Sequence, residues 1–367
     1  MINLRTQLTY NSVIFRFVVF MCNWRNSTFE QETFAPSILH KLAIIEVPIH
    51  SLAGYVVLFK TPTRMESVKW MMFTMHICGA YLDLFLSALS TQFFLLPAAA
   101  GHSQGLYTYI GVPVKWQAYM FISAICLAGV SILGFFESRY NALVKGRGTS
   151  ILKVKKRLFY MIGHYIYAFV FILPITFTPP EQISGKFYVR AMLPCVPQEI
   201  FDHPDFFVYA LDITLLTWII GTAAFIITGE CIYFFTRIVL YLSSTKAKSE
   251  KTYKLQLHFF IALTIQISIP LAVVICPIGY IVFAFAASHF DQALNNISLN
   301  MMAMHGLISS AVMLTVHKPY REAVLGMFCY KYLYKKLHRN SLHPDGTVVV
   351  LSSSHTAKPV IERRSHI

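Results

Sequence analysis

Six ionisable residues lie inside long apolar runs of the sequence, where a charged side chain is costly and therefore indicates a functional site. They are Glu46, His50, Asp83, Asp212, Glu230 and His305, while His76, His164 and His258 lie nearer the inner ends of their runs. Carboxylates and imidazoles in such places can carry protons, bind a polar ligand or join neighbouring helices. The sequence has no HExxH motif, no GxGD motif and no two histidines three or four positions apart, so it supports neither a helix-borne zinc enzyme nor an intramembrane aspartyl protease. We expect no enzymatic activity and no cofactor.

Four of these residues are expected to form one intramembrane polar network. Glu46 and His50 are four positions apart and share one face of a helix, and Pro48 between them predicts a bend. In a ring of seven helices the first, second and seventh are neighbours, which brings Asp83 and His305 towards this face. Two roles remain open for the network: polar contacts that join the helices, or a site for a ligand or a proton.

Asp212 and two prolines of the apolar runs are candidates for ligand binding and for helix motion, respectively. Asp212 lies about two turns from one end of its run, where its carboxylate could face a ligand or extend towards the membrane surface. Pro270 and Pro277 interrupt the sixth run and predict helix kinks, which are either static or hinges.

These residues must be positioned by membrane-spanning helices, because the composition excludes an ordinary soluble protein. Of the 367 residues, 56% are hydrophobic and 13% are charged, whereas soluble chains carry about a quarter charged residues. Runs near the ~20 residues that cross a bilayer as a helix occur at about 39–59, 70–97, 112–136, 158–178, 206–235, 257–287 and 295–317. The sequence therefore predicts an all-α membrane protein, a bundle of seven transmembrane helices over residues 38–318.

The basic residues predict the orientation of this bundle, since cytoplasmic connections retain Lys and Arg. With the N-terminus outside, the inside segments hold 24 Lys and Arg residues and the outside segments hold 7. This count favours an external N-terminus and a cytoplasmic C-terminus. The net charge of +14 is spread over the gaps between apolar runs rather than along one face, which indicates membrane lipids and not nucleic acid as a partner.

Residues 1–37 are expected to form an extracellular N-terminal segment. The apolar stretch 12–22 is too short to span a bilayer and is interrupted by Arg16, so the segment is either poorly ordered or signal-like, although no A-x-A-like cleavage site follows. Asn26 begins an Asn-Ser-Thr sequon and is a predicted glycosylation site. Most of the seven cysteines lie inside apolar runs, and Cys195 is the main exception.

The third run ends in charged and aromatic residues at the predicted inner membrane surface. They are Glu137, Arg139 and Tyr140, and the connection that follows carries Lys155, Lys156 and Arg157 among its basic residues. These cations could dock an acidic cytosolic protein or anionic lipid headgroups.

The seventh run leaves the membrane at a short motif of Pro319, Tyr320 and Arg321. Pro319 disfavours helical geometry at the residue before it, and Tyr320 is expected to anchor at the membrane interface. Residues 319–367 are predicted to form a cytoplasmic surface helix and a disordered tail. Cys329 in that helix is a predicted palmitoylation site.

Four stretches of the chain resemble the nematode serpentine chemoreceptors, most closely serpentine receptor class H. They are IIEVPIHSLAGYVVLFKTPTRMESVKW (44–70), YLDLFLSALSTQFFLLPAAAGHSQGL (81–106), GFFESRYNALV (134–144) and HGLISSAVMLTVHKPYR (305–321). These motifs follow the family's order and spacing, and the likeness covers about residues 40–325.

The resemblance implies a G-protein-coupled receptor in the plasma membrane of sensory cells, in their cilia, that binds a small, even volatile, chemical and signals to a heterotrimeric G protein. By similarity, Glu137, Arg139 and Tyr140 stand at the acidic-Arg-Tyr motif of rhodopsin-like receptors. Ser138 is inserted relative to that motif, so the rhodopsin-type ionic lock is not expected. The start of the third run has no cysteine to pair with Cys195, and the seventh run has no NPxxY motif.

Two other functions are compatible with seven spans. A ligand-gated channel or transporter, as in insect chemoreceptors, would place the N-terminus inside, against the charge count. A member that traffics or scaffolds other receptors would not signal itself.

Overall fold

A computed structural model of the protein describes residues 21–145, 151–211, 213–245 and 250–327. Within these residues, seven helical segments are long and apolar enough to cross a bilayer, which confirms the predicted seven-helix fold. We number them spans one to seven: Phe34–Lys60, Val68–Leu89, Val114–Val144, Val154–Phe177, Ile213–Ser244, Gln256–Ala287 and Gln292–Val316. The chain divides after Val324 into two compact units, and the described part of the second, residues 325–327, is helical.

The elements follow one another along the chain with short connections. The helices are α1 (Phe34–Lys60), α2 (Glu66–Leu84), α3 (Leu106–Tyr109), α4 (Val114–Tyr140), α5 (Ile151–Val170), α6 (Leu173–Phe177), α7 (Gln182–Met192), α8 (Gln198–Phe201), α9 (Ile213–Thr245), α10 (Glu250–Ala287), α11 (Gln292–Ala303) and α12 (His305–Val316). The strands are β1 (Met21–Asn23), β2 (Thr91–Phe94), β3 (Ala100–Gln104), β4 (Phe207–Val208) and β5 (His289–Asp291). Two π-helical turns, Phe85–Leu89 and Asn141–Lys145, extend α2 and α4.

The outside of the bundle is apolar, as a bilayer requires. Large side chains such as Phe59, Trp218 and Phe225 are each at least 70% exposed. In a soluble protein a surface of this kind would be an aggregation or binding site, whereas in lipid it is the solvated surface. Inside the bundle, spans one, two, three and seven pack around Phe85, and spans three, four and five pack around Leu133.

The five strands of the described residues lie at one end of the bundle, which we call the sheet end. Strands β2, β3 and β4 form an antiparallel sheet in that order. Its residues pack with α7 and α8 in a separate core, which we call the small core and which includes Phe93, Leu193 and Phe290. The opposite end, where Lys60, Lys145 and His317 leave their helices, is called the exit end.

The sheet corrects two of the predicted helix boundaries. Hydropathy extends span two over 70–97 and begins span five at 206, but the helix of span two, with its π turn, ends at Leu89 and that of span five begins at Ile213. Ser90 takes φ −155° and ψ 87°, outside the helical region, and Thr91–Phe94 after it pair as β2 with β3. Apolar strands and apolar helices have the same hydropathy, so a window over the sequence joins them.

The described part of the N-terminal segment, from residue 21, packs at the sheet end. Although residues 1–20 lie outside the described ranges, β1 pairs in parallel with β5, and the Arg25 guanidinium donates to Asp291 at 2.7 and 2.9 Å. Glu30 is fully buried and accepts hydrogen bonds from the backbone N–H groups of Arg25 and Ser27. Burial opposes ionisation of Glu30, but these donors and the Arg25 guanidinium outweigh it and lower the pKa of the carboxyl.

A disulfide joins this segment to the connection between spans four and five. Cys22 and Cys195 are bonded across a sequence separation of 173 residues. Cys195 therefore has a partner, which comes from the N-terminal segment and not from span three. The predicted sequon residue Asn26 lies nearby in sequence, exposed, with a left-handed φ of 54° that Asn tolerates.

Candidate functional site

Span seven is broken in the middle, and the break is stabilised by Asp83 of span two. Helix α11 ends at Ala303, Met304 forms a turn, and α12 begins at His305. The Asp83 carboxylate accepts hydrogen bonds from the backbone N–H groups of Gly306 at 3.0 Å and Leu307 at 2.5 Å. The first N–H groups of a helix have no partner within the helix and carry partial positive charge, so a buried carboxylate is a favourable partner for them.

Glycine is needed at position 306 because the carboxylate lies so close to the backbone. A Cβ atom on Gly306 would lie 2.7 Å from Asp83 Oδ2, nearer than non-bonded atoms approach. Any side chain there would displace the carboxylate or the helix.

Two predicted histidines surround the same carboxylate. His305 Nδ1 lies 3.1 Å from Asp83 Oδ1, and His50 Nε2 lies 3.5 Å from Asp83 Oδ2; both are ion-pair distances without the alignment of a hydrogen bond. Asp83 is fully buried, and His50 is nearly so. Spans one, two and seven thus meet at one acidic side chain.

Polar contacts continue from this carboxylate to residues that hydropathy did not single out. His50 Nδ1 lies 3.1 Å from Ser310 Oγ, which also lies 3.3 Å from His76 Nδ1. Glu46 is fully buried and accepts a 2.7 Å hydrogen bond from Ser87, so within the described contacts it bonds to span two rather than to His50. Ser87 and Ser310 carry no strong signal in a hydropathy profile, and His76 lies nearer an end of its apolar run, so the sequence does not place these three residues in the network.

The polar network lines one wall of a large cavity inside the bundle. The cavity has a volume of about 510 Å³ and is lined by residues of spans two to seven. His76, His305 and Ser310 contribute to its polar wall. Most of the remaining wall is apolar, with residues such as Met75, Phe121, Ile125, Phe171, Ile227 and Met302. Apolar walls with a few convergent polar groups are typical of small-molecule sites.

The three-stranded sheet covers the cavity at the sheet end. Gln92 and Phe94 of β2 and Phe207 of β4 line the cavity. Phe93, between the first two, belongs instead to the small core on the other face of the sheet, as the alternation of side chains along a strand requires. One face of the sheet therefore points towards the cavity, and the other face packs in the small core.

At the exit end, Glu137 pairs with Arg157 and not with the neighbouring arginine. The Arg157 guanidinium donates two hydrogen bonds of 2.8 Å to the Glu137 carboxylate. Arg139 is 8% exposed and lies over the Phe135 ring, 5.9 Å from its centroid. Tyr140 is also buried.

The exit motif of span seven is more deeply packed than its sequence predicts. Tyr320 is fully buried, and its hydroxyl lies 2.9 Å from Thr61 Oγ1 of the first connection, which corrects the expectation of an aromatic anchor at the interface. The helix breaks at His317, whose ψ is 109°, and Pro319 lies in the first turn of the helical segment 318–327, where its missing N–H costs nothing. Arg321 is exposed and donates to the Thr315 carbonyl at 2.9 Å.

His317 links three spans at this end. Its Nε2 lies 2.8 Å from Gln266 Oε1 of span six. Burial, and then the charge of Arg139 on span three, lowers the pKa of His317 to about 4, so the imidazole is neutral at physiological pH.

The sequence that forms this bundle matches a known family. The model of the serpentine type 7TM GPCR chemoreceptor Srh matches residues 30–330. The chain belongs to the Srh family. It is 27% identical over 295 residues to serpentine receptor class H-72 of Caenorhabditis elegans, an alignment that covers 78% of this chain and 83% of that protein. It is thus a multi-pass membrane protein of a chemoreceptor family, a class of receptors and not of enzymes.

The remaining predicted residues of this Srh protein lie away from the polar network or outside the described ranges. Lys155 and Lys156 are exposed at the exit end. Pro48 lies within α1, and Pro270 and Pro277 lie within α10, which continues past both. Asp212 and Cys329 are outside the described residues.

Proposed function

We propose that this Srh protein is a chemosensory receptor that binds a small external chemical in the 510 Å³ cavity and signals to a heterotrimeric G protein. The cavity carries this proposal. Its volume lies within the roughly 300–1,000 Å³ usual for small-molecule sites, and residues of β2 and β4 line it at the sheet end. We place the receptor in the plasma membrane, and by family resemblance in sensory cilia.

The chemistry of the wall favours a mainly apolar ligand with one polar group. Aliphatic and aromatic side chains from six spans would contact the apolar part, and the polar group would reach His305, Ser310 or Asn295, which line the same cavity. A small volatile compound fits this description. Asp212 remains a second predicted contact from the sequence.

Signalling requires that the ligand favour one arrangement of the helices over another. A ligand in the cavity would touch spans five and six, including Pro270, and also the polar network at the second half of span seven, through His305 and Ser310. Span seven leads to His317, and span six reaches the same residue through Gln266. A shift of either helix would change the packing around Arg139, Glu137 and Tyr140, where we propose that the G protein binds.

The orientation of the bundle also enters the proposal. Disulfides persist in oxidising compartments and are rare in the cytosol, so the Cys22–Cys195 bond supports an external sheet end. The count of 24 basic residues against 7 supports the same orientation. Lys155 and Lys156 would then face the cytosol, next to anionic lipid headgroups and the G protein.

The disulfide provides a test of this orientation. In protein from cells alkylated before lysis, peptides containing Cys22 and Cys195 should be recovered as a linked pair. Replacing either cysteine by Ser should lower stability by about 2–5 kcal/mol and reduce surface expression, and the double variant should be no worse than either single one. Cys276→Ser, at an exposed free cysteine, is the control. Alkylation of both Cys22 and Cys195 without reduction would place the sheet end in the cytosol and favour the channel or transporter alternative.

The ligand site is tested by filling the cavity. In cells with a G-protein reporter, a screen of small volatile and apolar compounds should yield an agonist of the wild-type receptor. Ala128 lines the cavity, and Ala128→Phe should then raise the agonist concentration needed for half-maximal response at least ~10-fold, equivalent to about 1.4 kcal/mol. Ala311 is exposed on the outside of span seven, so Ala311→Phe should leave the response unchanged. Equal responses of both variants and wild type would exclude the cavity as the binding site.

A further inference from the structure

Three side chains that could bind a metal ion meet on the face of the sheet that points away from the cavity. Glu32 comes from the N-terminal segment, His102 from β3 and His203 from the loop between α8 and β4. One potential ligand atom from each lies within 4.8 Å of the other two. His102 Nε2 is 3.8 Å from Glu32 Oε2, and the rings of His102 and His203 are stacked with centroids 4.1 Å apart.

His102 is the unusual member of this cluster. Its side chain is fully buried, and neither ring nitrogen has a hydrogen-bond partner among the residues that the structure describes. Buried polar groups are nearly always bonded to protein, water or an ion. The buried His102 imidazole has no described hydrogen-bond partner and lies 3.8 Å from the Glu32 carboxylate. This arrangement therefore indicates an ion bound by both groups.

We propose that Glu32, His102 and His203 bind a Zn²⁺ ion at the sheet end of the receptor. Two imidazoles and a carboxylate are a ligand set that zinc prefers, with a water as the fourth ligand. Nothing in this proposal depends on the chemical bound in the cavity or on coupling to a G protein.

The geometry requires the side chains to move. The nitrogen lone pairs of imidazole lie in the ring plane, so the stacked rings of His102 and His203 cannot both point at one ion, and His203 must turn out of the stack. Zinc–nitrogen and zinc–oxygen bonds of about 2.0–2.2 Å place tetrahedral ligand atoms about 3.4 Å apart, so separations of up to 4.8 Å must shorten by rotation of the side chains. Glu32 and His203 are half-buried and can rotate. Burial lowers the pKa of His102 to about 3, so this ring is neutral and has a nitrogen lone pair for a metal at physiological pH.

Ligation also changes one existing contact. His203 Nδ1 accepts a hydrogen bond from the Asp205 backbone N–H at 3.2 Å. If His203 binds zinc through Nε2, the ring proton must be on Nδ1, so this hydrogen bond is exchanged for the metal bond.

The ion would connect three segments that lie above the cavity. His102 is paired across the sheet with Phe93, and the neighbours of Phe93 on β2, Gln92 and Phe94, line the cavity. A zinc ion would thus tie the N-terminal segment and the loop before β4 to the sheet that covers the cavity. We expect zinc to raise the thermal stability of the sheet end.

The proposal is tested with the full-length receptor, disulfide intact, in lipid nanodiscs from which metal has been removed by a chelator. Calorimetric titration with Zn²⁺ should show about one ion per chain at this site, and Co²⁺ should give the visible absorption of a tetrahedral complex. Glu32→Gln and His203→Ala should each weaken Zn²⁺ binding by roughly 10- to 100-fold or more and abolish the zinc-dependent rise in unfolding temperature.

His289→Ala provides the matched control, because His289 lies at the same end on β5 but outside the cluster. It should bind zinc as the wild type does. Both cluster variants change half-buried side chains, and recovery of the Cys22–Cys195 peptide from each shows that the sheet end is folded. Zinc affinity equal to wild type in Glu32→Gln and His203→Ala, or a wild-type receptor that binds no zinc, would overturn the proposal.

Discussion

Replacing Asp83 by Ala is expected to destabilise the bundle by about 2–6 kcal/mol, since each of the two helix N–H groups left without an acceptor costs about 1–3 kcal/mol. The variant would leave the N–H groups of Gly306 and Leu307 without their acceptor and would remove the anion that lies beside His50 and His305. The second half of span seven would then lose the hydrogen bonds that join its first turn to span two. In purified receptor, the apparent unfolding temperature should fall on the order of 10 °C.

Two further variants show whether the charge or the position is responsible. Asp83→Asn retains one acceptor oxygen but presents an N–H group where the second N–H of the helix now bonds, so its effect should be intermediate. Glu66→Ala removes a carboxylate from an exposed position on the same helix and should change stability by no more than about 0.5 kcal/mol. An Asp83→Ala receptor that unfolds at the wild-type temperature would show that other contacts hold span seven.

Replacing Arg139 by Ala is expected to abolish most of the signalling while the receptor still reaches the cell surface. Arg139 is buried at the exit end of span three, and its charge acts on both His317 and Tyr320 beyond span seven. Loss of this connection should weaken the coupling between ligand and G protein by about 1–3 kcal/mol, or roughly 5- to 150-fold. The measurement is the agonist response in reporter cells, normalised to receptor at the surface.

The control for this variant is Arg237→Ala, which removes an exposed arginine from the exit end of span five. It should signal as the wild type does. Arg139→Lys retains the charge but not the planar guanidinium over Phe135, and should retain part of the response. Undiminished signalling by Arg139→Ala at equal surface level would remove Arg139 from the coupling mechanism.

Hydropathy and charge were sufficient to predict the seven spans, because a helix that crosses lipid must satisfy its own backbone hydrogen bonds and cover them with apolar side chains. Each span meets this requirement with its own residues, without partners from elsewhere in the chain. The ordered motifs likewise led to the Srh family, which the match over residues 30–330 confirms. Glu46, Asp83 and His305 were recognised as candidates for the same reason, since a charge in an apolar run is visible in the sequence alone.

Only the tertiary structure decided what these residues contact. The bond from Asp83 to Gly306 joins positions 223 residues apart, and the disulfide joins positions 173 apart. Hydropathy also could not separate β2 from the end of span two, because the strand becomes favourable only when β3 supplies its hydrogen-bond partners. Burial of Tyr320 similarly depends on Thr61. The composition of a segment determines whether it enters the membrane, whereas partners distant in the chain determine which polar groups meet there.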